Sequence, residues 1–119
     1  MSTVLIVDDE TVILEMLRDL LEDAGYRVVT ARDGRDGLAA MAAAPVDVVL
    51  CDVMMPVMDG VAFCRAVQAD AALASIPVLL MSAGARPTEG SGCRSAGFLQ
   101  KPFTLDVVLA ALAAVLGAR

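Results

Sequence analysis

The apolar positions of this chain fall into short blocks of two kinds. Residues 3–7 (Thr-Val-Leu-Ile-Val), 46–51 (Val-Asp-Val-Val-Leu-Cys) and 78–82 (Val-Leu-Leu-Met-Ser) are nearly continuous apolar runs rich in β-branched side chains. That pattern predicts strands buried on both faces, as in the middle of a parallel sheet. Elsewhere the spacing is helical. Ile13, Leu14, Leu17, Leu20, Leu21 and Ala24 recur three and four apart, with Glu15, Asp19, Glu22 and Asp23 on the other face, and Gly25 ends the helix. Residues 27–31 read as a more polar strand nearer a sheet edge, and 34–44 as an Ala-rich helix closed by Pro45. A third helix covers 60–69 with Val61, Cys64 and Val67 inward; 98–100 form a short last strand; Thr104 caps a final helix over 105–116.

Strands alternating with helices predict an α/β, doubly wound fold: five parallel strands, right-handed crossovers and helices on both faces. Alternation also asks for a helix between residues 83 and 97. Pro87, Gly84, Gly90, Gly92 and Gly97 disfavour it, so this fourth helix is expected to be short or frayed.

Length and composition narrow the class. At 119 residues the chain is read as one domain, 1–119, without internal repeat or linker. It stops directly after the last helix, so an output domain is expected to be absent or cut away. No apolar block reaches the roughly 18–20 residues of a membrane span, and Met1-Ser2-Thr3 has no export signal, which makes the cytoplasm the expected compartment. The cysteines Cys51, Cys64 and Cys93, odd in number and without CxxC spacing, read as reduced and mostly buried. With no histidine in the chain, a zinc site is not expected. A net charge of −6 argues against nucleic acid as a direct partner and favours a bound cation. Lys101 is the only lysine.

The polar residues that interrupt the pattern stand at the carboxyl ends of predicted strands. Asp8 and Asp9 follow the first, Asp52 the third, Ser82 the fourth and Lys101 the fifth. Taken separately, Asp8-Asp9-Glu10 also suits a helix start, and Asp52, with Pro56 and Asp59-Gly60 behind it, also suits a plain strand stop. In a parallel sheet, however, all these ends meet at one edge, where open α/β sheets bind ligands. Three carboxylates there repel one another unless a cation sits among them, and Mg²⁺ suits a few oxygen ligands and retained waters. Such an ion would let a carboxylate attack phosphorus, with Lys101 and the Ser82 hydroxyl donating to the phosphoryl oxygens.

The segments VLIVDDE (4–10), DVVLCDVMMPVMDG (47–60), LLMSA (79–83) and FLQKPF (98–103) together resemble the receiver domains of two-component response regulators, of the chemotaxis-regulator type. The resemblance covers essentially the whole chain. It implies a flavodoxin-like strand order 2-1-3-4-5 and a phosphoryl group taken by Asp52 from a histidine kinase or histidine phosphotransfer protein. Mg²⁺ or Mn²⁺ would be held by Asp8, Asp9, Asp52 and the Met54 backbone carbonyl. Ser82 and Phe98 would be the switch residues, Lys101 would pair with the phosphoryl group or the acids, and Pro102 would follow a cis bond. On this reading the chain signals to a downstream effector that the sequence does not identify. It contacts neither nucleic acid nor membrane and catalyses only its own phosphorylation and dephosphorylation.

In one respect the pattern departs from the family: Gly97 abuts Phe98 after a glycine-rich stretch, which bears on the signalling face rather than the catalytic edge. Two other readings remain. An aspartyl-nucleophile phosphatase or phosphotransferase carries a second Asp two residues after the nucleophile, where this chain has Met54, and a cap domain is lacking. A phosphate-independent binding module would have no use for Asp8, Asp9, Asp52, Ser82 and Lys101 together. The last helix, with Leu105, Val107, Val108, Leu109, Leu112, Val115 and Leu116, suits ordinary packing and a homodimer surface equally.

Overall fold

The three continuous apolar blocks become the inner strands of an all-parallel sheet. In the computed structural model, which describes residues 1–84, 87 and 92–117, the elements run β1 (Thr3–Val7), α1 (Thr11–Asp23), β2 (Arg27–Ala31), α2 (Gly34–Ala43), β3 (Val48–Asp52), α3 (Gly60–Ala69), β4 (Val78–Ser82), β5 (Gly97–Gln100) and α4 (Leu105–Gly117). The strand order is β2-β1-β3-β4-β5. Every residue of β3 and β4 is buried, whereas the more polar β2 lies at an edge.

Because successive strand residues point to opposite faces, each inner strand feeds two cores. Val4, Ile6, Val48, Leu50, Leu79 and Met81 meet Leu14, Leu17 and Leu21 of α1 and Val108 and Leu112 of α4. On the opposite face Leu5, Val7, Val49, Cys51 and Leu80 meet Met41 of α2 and Phe63, Cys64 and Val67 of α3. Leu105, Leu109, Val115 and Leu116 also pack against the first core, so the apolar excess of the last helix is mostly internal packing. Val107, at 48% exposure, is left outward.

Several boundaries and faces differ from the sequence reading. The central strand begins at Val48 rather than residue 46; Asp47 lies outside it and accepts the Thr3 backbone N–H through Oδ2 at 2.7 Å. Helix α2 ends at Ala43. On α3 the buried line is Gly60, Phe63, Cys64 and Val67, at i, i+3, i+4 and i+7, which turns Val61 to a half-buried flank. Cys64 and Cys93 are not reduced: they are joined in a disulfide, and Cys51 is the free cysteine. The short or frayed helix expected between β4 and β5 falls largely on 85, 86 and 88–91, outside the described residues; the described flanks at 83–84 and 92–96 are not helical.

Helix α2 crosses β1 and α3 through Gly37. A Cβ there would lie 2.8 Å from Phe63 Cε1 and 3.1 Å from Val7 Cγ2, both core side chains. Gly37→Ala gains about 1 kcal/mol of helix propensity but overpacks a rigid ring at about 1–3 kcal/mol. We expect a net loss of about 1 kcal/mol, read as a lower urea midpoint; a higher midpoint would show that Phe63 yields freely.

Candidate functional site

Parallel register assembles the site. Val7 pairs with Cys51, so the next residues, Asp8 and Asp52, leave adjacent strands side by side. Asp52 pairs with Met81 and Ser82 with Gln100, while the Lys101 N–H donates to the Ser82 carbonyl at 2.8 Å. All five residues singled out in the sequence therefore stand at one sheet edge. Asp8, Asp52 and Ser82 are buried and Asp9 is exposed. Carboxylate oxygens of Asp8, Asp9 and Asp52 lie within 4.8 Å of one another.

Lys101 joins the two buried acids. Its Nζ donates to Asp8 Oδ2 at 3.1 Å and forms an ion pair with Asp52 Oδ1 at 3.3 Å. The second Asp8 oxygen, Oδ1, accepts the Glu10 N–H at 2.9 Å, which fixes that carboxylate as α1 begins. Burial pushes the Asp52 carboxyl above its ordinary value and the Asp8 charge adds to this, while Lys101 opposes both. For Lys101 burial favours the neutral amine, yet the charges and hydrogen bonds of Asp8 and Asp52 outweigh it and raise its pKa. Three carboxyl groups thus share one edge with a single ammonium, an excess of acidic over basic groups. That excess and the all-oxygen donor set fit a hard divalent cation.

Sequence reasoning missed how closely the following loop is built. Asp59 caps α3, its Oδ1 accepting the Ala62 N–H at 2.8 Å. Gly60 N–H donates to the Val53 carbonyl at 2.9 Å, and a Cβ on Gly60 would collide with the Asp52 backbone oxygen and come within 2.8 Å of Val53 Cα. The Asp-Gly pair is thus a seating device for Asp52 as well as a turn, a role its residue types alone do not announce. Pro56, Val57 and Met58 form a γ-turn, with Met58 N–H donating to the Pro56 carbonyl at 2.7 Å and Val57 at φ 69°. A β-branched residue there is strained, and no sequence signal marks it. Met54 and Val57 expose their side chains at 72% and 74%.

Of the remaining predicted site residues, Ser82 Oγ accepts the Gly84 N–H at 2.9 Å. Phe98 is half-buried against the core on the α2/α3 face. The Lys101–Pro102 peptide is cis.

The sequence profile of the response regulator receiver domain matches residues 4–113. The response regulator MprA of Mycolicibacterium vanbaalenii is 37% identical over 116 residues, which is 95% of this chain and 49% of that protein. This chain thus spans about half the length of the curated relatives it matches first. Among solved structures, the chemotaxis protein CheY4 of Vibrio cholerae is similar at a TM-score of 0.91 and 40% identity, covering 98% of this chain and 99% of that one. The response regulator TrrA of Thermotoga maritima, solved in complex with Mg²⁺ and BeF, gives a TM-score of 0.88 at 25% identity, covering 98% and 100%.

A carboxyl whose pKa is higher in the folded state stabilises the fold fully only below its unfolded pKa, and that contribution is lost as pH rises through the folded value. Above that folded value, burial and the Asp8 charge make Asp52 work against folding. Asp52→Asn should melt above wild type in chelator-treated buffer, and added Mg²⁺ should raise wild type more than the variant. A variant that melts at or below wild type without divalent ions would contradict this electrostatic reading.

Proposed function

Since the chain belongs to the response regulator receiver family, we propose that Asp52 is its phosphoacceptor and that 1–119 acts as one cytoplasmic receiver unit. The observation that carries this is the Lys101 ammonium shared between buried Asp8 and Asp52 at the sheet edge. The donor is a phosphorylated histidine of a kinase or phosphotransfer protein. An Asp52 oxygen attacks phosphorus, the phosphorus–nitrogen bond breaks, and the imidazole leaves with the bonding pair. Asp8, Asp9, Asp52 and the Met54 carbonyl would hold Mg²⁺, or Mn²⁺ in its place, which would supply positive charge between the two anions. Lys101, already oriented by Asp8, is placed to donate to the transferred group, and the Ser82 hydroxyl to move toward it.

The new charge, about −1.5 to −2 at neutral pH, then draws the Ser82 O–H, whose oxygen accepts the Gly84 N–H, toward the phosphoryl oxygens. A shift of Ser82 opens room for Phe98 to turn inward, biasing two arrangements of β5. Phe98 has no hydroxyl, so its burial leaves no polar group unpaired. An apolar groove beside Lys101, lined by Ile13, Met16, Ala83, Pro102 and Phe103, supports a protein donor approaching across α1. The last helix offers a homodimer less, since Val107 is its one large apolar side chain that is strongly exposed. No helix among the described residues is long and apolar enough to cross a membrane, which supports the cytoplasmic reading. Turnover of an external substrate is not part of this proposal: the chemistry is confined to gain and loss of the chain's own phosphoryl group.

Incubation with acetyl phosphate and Mg²⁺ should add one phosphoryl group, and Asp52→Asn should add none. Lys101→Ala and Ser82→Ala should still be labelled while Phe98 no longer responds by NMR. Full labelling of Asp52→Asn refutes the assignment.

Loss of the phosphoryl group should be slow. Hydrolysis needs a water held in line, and the side chains two residues beyond Asp52 and Ser82 are Met54 and Gly84, neither able to hold one by a strong hydrogen bond. The exposed Met54 side chain can be replaced without disturbing packing. Complete acid–base assistance is worth roughly a hundredfold or more, and a lone polar group less, so Met54→Asn and Met54→Glu should shorten the phosphorylated lifetime a few-fold at unchanged Mg²⁺ affinity. Equal or longer lifetimes would place control of the water elsewhere.

A further inference from the structure

The one covalent cross-link joins the two elements on either side of the proposed switch. Cys64 lies buried on α3, the helix whose first turn seats Asp52; Cys93 lies half-buried in the segment that leads into β5, which carries Phe98 and ends at Lys101. Their Cα atoms are 5.7 Å apart across 29 residues of sequence. Beside them Gln68 of α3 clamps Arg94 in both directions, its Nε2 donating to the Arg94 carbonyl at 2.6 Å and its Oε1 accepting the Arg94 N–H at 3.1 Å. Two residues on, the Ala96 N–H donates to the Val78 carbonyl at 2.8 Å.

We propose that Cys64 and Cys93 form a reversible dithiol–disulfide couple whose oxidised form latches residues 92–96, and with them Phe98 of β5, to α3. Three features make the bond reversible rather than a fixed brace. Cys93 is reachable, whereas Cys64 is buried, so an incoming thiolate attacks the Cys93 sulfur. The Gln68–Arg94 hydrogen bonds hold residues 92–96 to α3 and the Ala96–Val78 hydrogen bond holds them to β4 without the disulfide, so the two sulfurs stay close after reduction and re-oxidation is intramolecular. Finally, Cys64 belongs to the α2/α3 core in either state while half-buried Cys93 packs only at its margin, so opening the bond does not require the sheet to unfold.

The exchange balances with a thiol reductant of the glutathione class. Its thiolate bonds to Cys93 Sγ as the Cys64–Cys93 bond breaks, and Cys64 leaves as a thiolate that takes a proton. A second thiol then displaces the first from Cys93. The protein gains two electrons and two protons, and two reductant thiols become one disulfide. Cys51 takes no part: it is buried on β3 and its S–H donates to the Asp52 carbonyl.

The inference goes beyond the receiver reading, and its readouts do not involve Asp52, so failure of phosphorylation and failure of the latch are separable. The intact chain is equilibrated in graded glutathione buffers, quenched in acid, unfolded and alkylated, and its mass is read. Labelling should pass from one thiol to three across the series. One label in the most reducing buffer, or three in the most oxidising, overturns the couple. Hydrogen exchange is then measured on both forms, with Cys93→Ser as a version that cannot latch. The Arg94, Ala96 and Phe98 amides should exchange roughly tenfold faster in the reduced protein, and Cys93→Ser should match it even under oxidising conditions. Equal exchange in the two forms, or Cys93→Ser matching the oxidised one, overturns the latch.

Discussion

A single ammonium shared by two buried carboxylates governs this edge of the sheet. Lys101 reaches Asp8 and Asp52 at 3.1 and 3.3 Å, and Asp9 adds a third negative charge that Lys101 does not balance. Carboxylates held together where water is scarce are costly unless they are paired. The site is therefore built short of positive charge, a shortage that suits a cation first and, through the cation, the anionic phosphoryl group of the proposed reaction. Burial strengthens each of these terms, so the same residues spread over an open surface would do little.

The fold exists to hold that imbalance in place. Parallel pairing puts every strand's carboxyl end on one side, and strands packed on both faces leave the polar residues no other exit. Asp52 is seated from behind by Gly60, which admits the α3 N-terminus against its backbone, and Lys101 is seated by the β4–β5 register through Ser82. The elements that seat Asp52 and Lys101 are thus also those bridged by Cys64 and Cys93. The proposed chemistry at Asp52 and the proposed movement of Phe98 would share a small set of supports.

How much of this was legible in the sequence follows from the range of each interaction. Strands β1, β2 and β4 and helix α3 were readable to the residue because apolar periodicity is local, and the convergence of Asp8, Asp9, Asp52, Ser82 and Lys101 followed from topology alone. The inward placement of Phe63 in place of Val61 depends on how α3 is turned about its own axis, which the Gly60 contact with the Asp52–Val53 backbone decides. The Cys64–Cys93 bond spans two distant segments and has no spacing signature, and the positive φ of Val57 runs against what a β-branched residue prefers. Long-range seating and local strain leave no periodicity to read.

The most direct test of the central claim is fluorine NMR of beryllofluoride bound to the protein while Mg²⁺ is titrated. An edge that is short of positive charge should bind the phosphoryl mimic only as Mg²⁺ is supplied. One bound species should appear in proportion to the cation, vanish with chelator, and be missing from Asp52→Asn. A bound signal of full intensity without divalent cation, or an unchanged one in Asp52→Asn, would contradict the account.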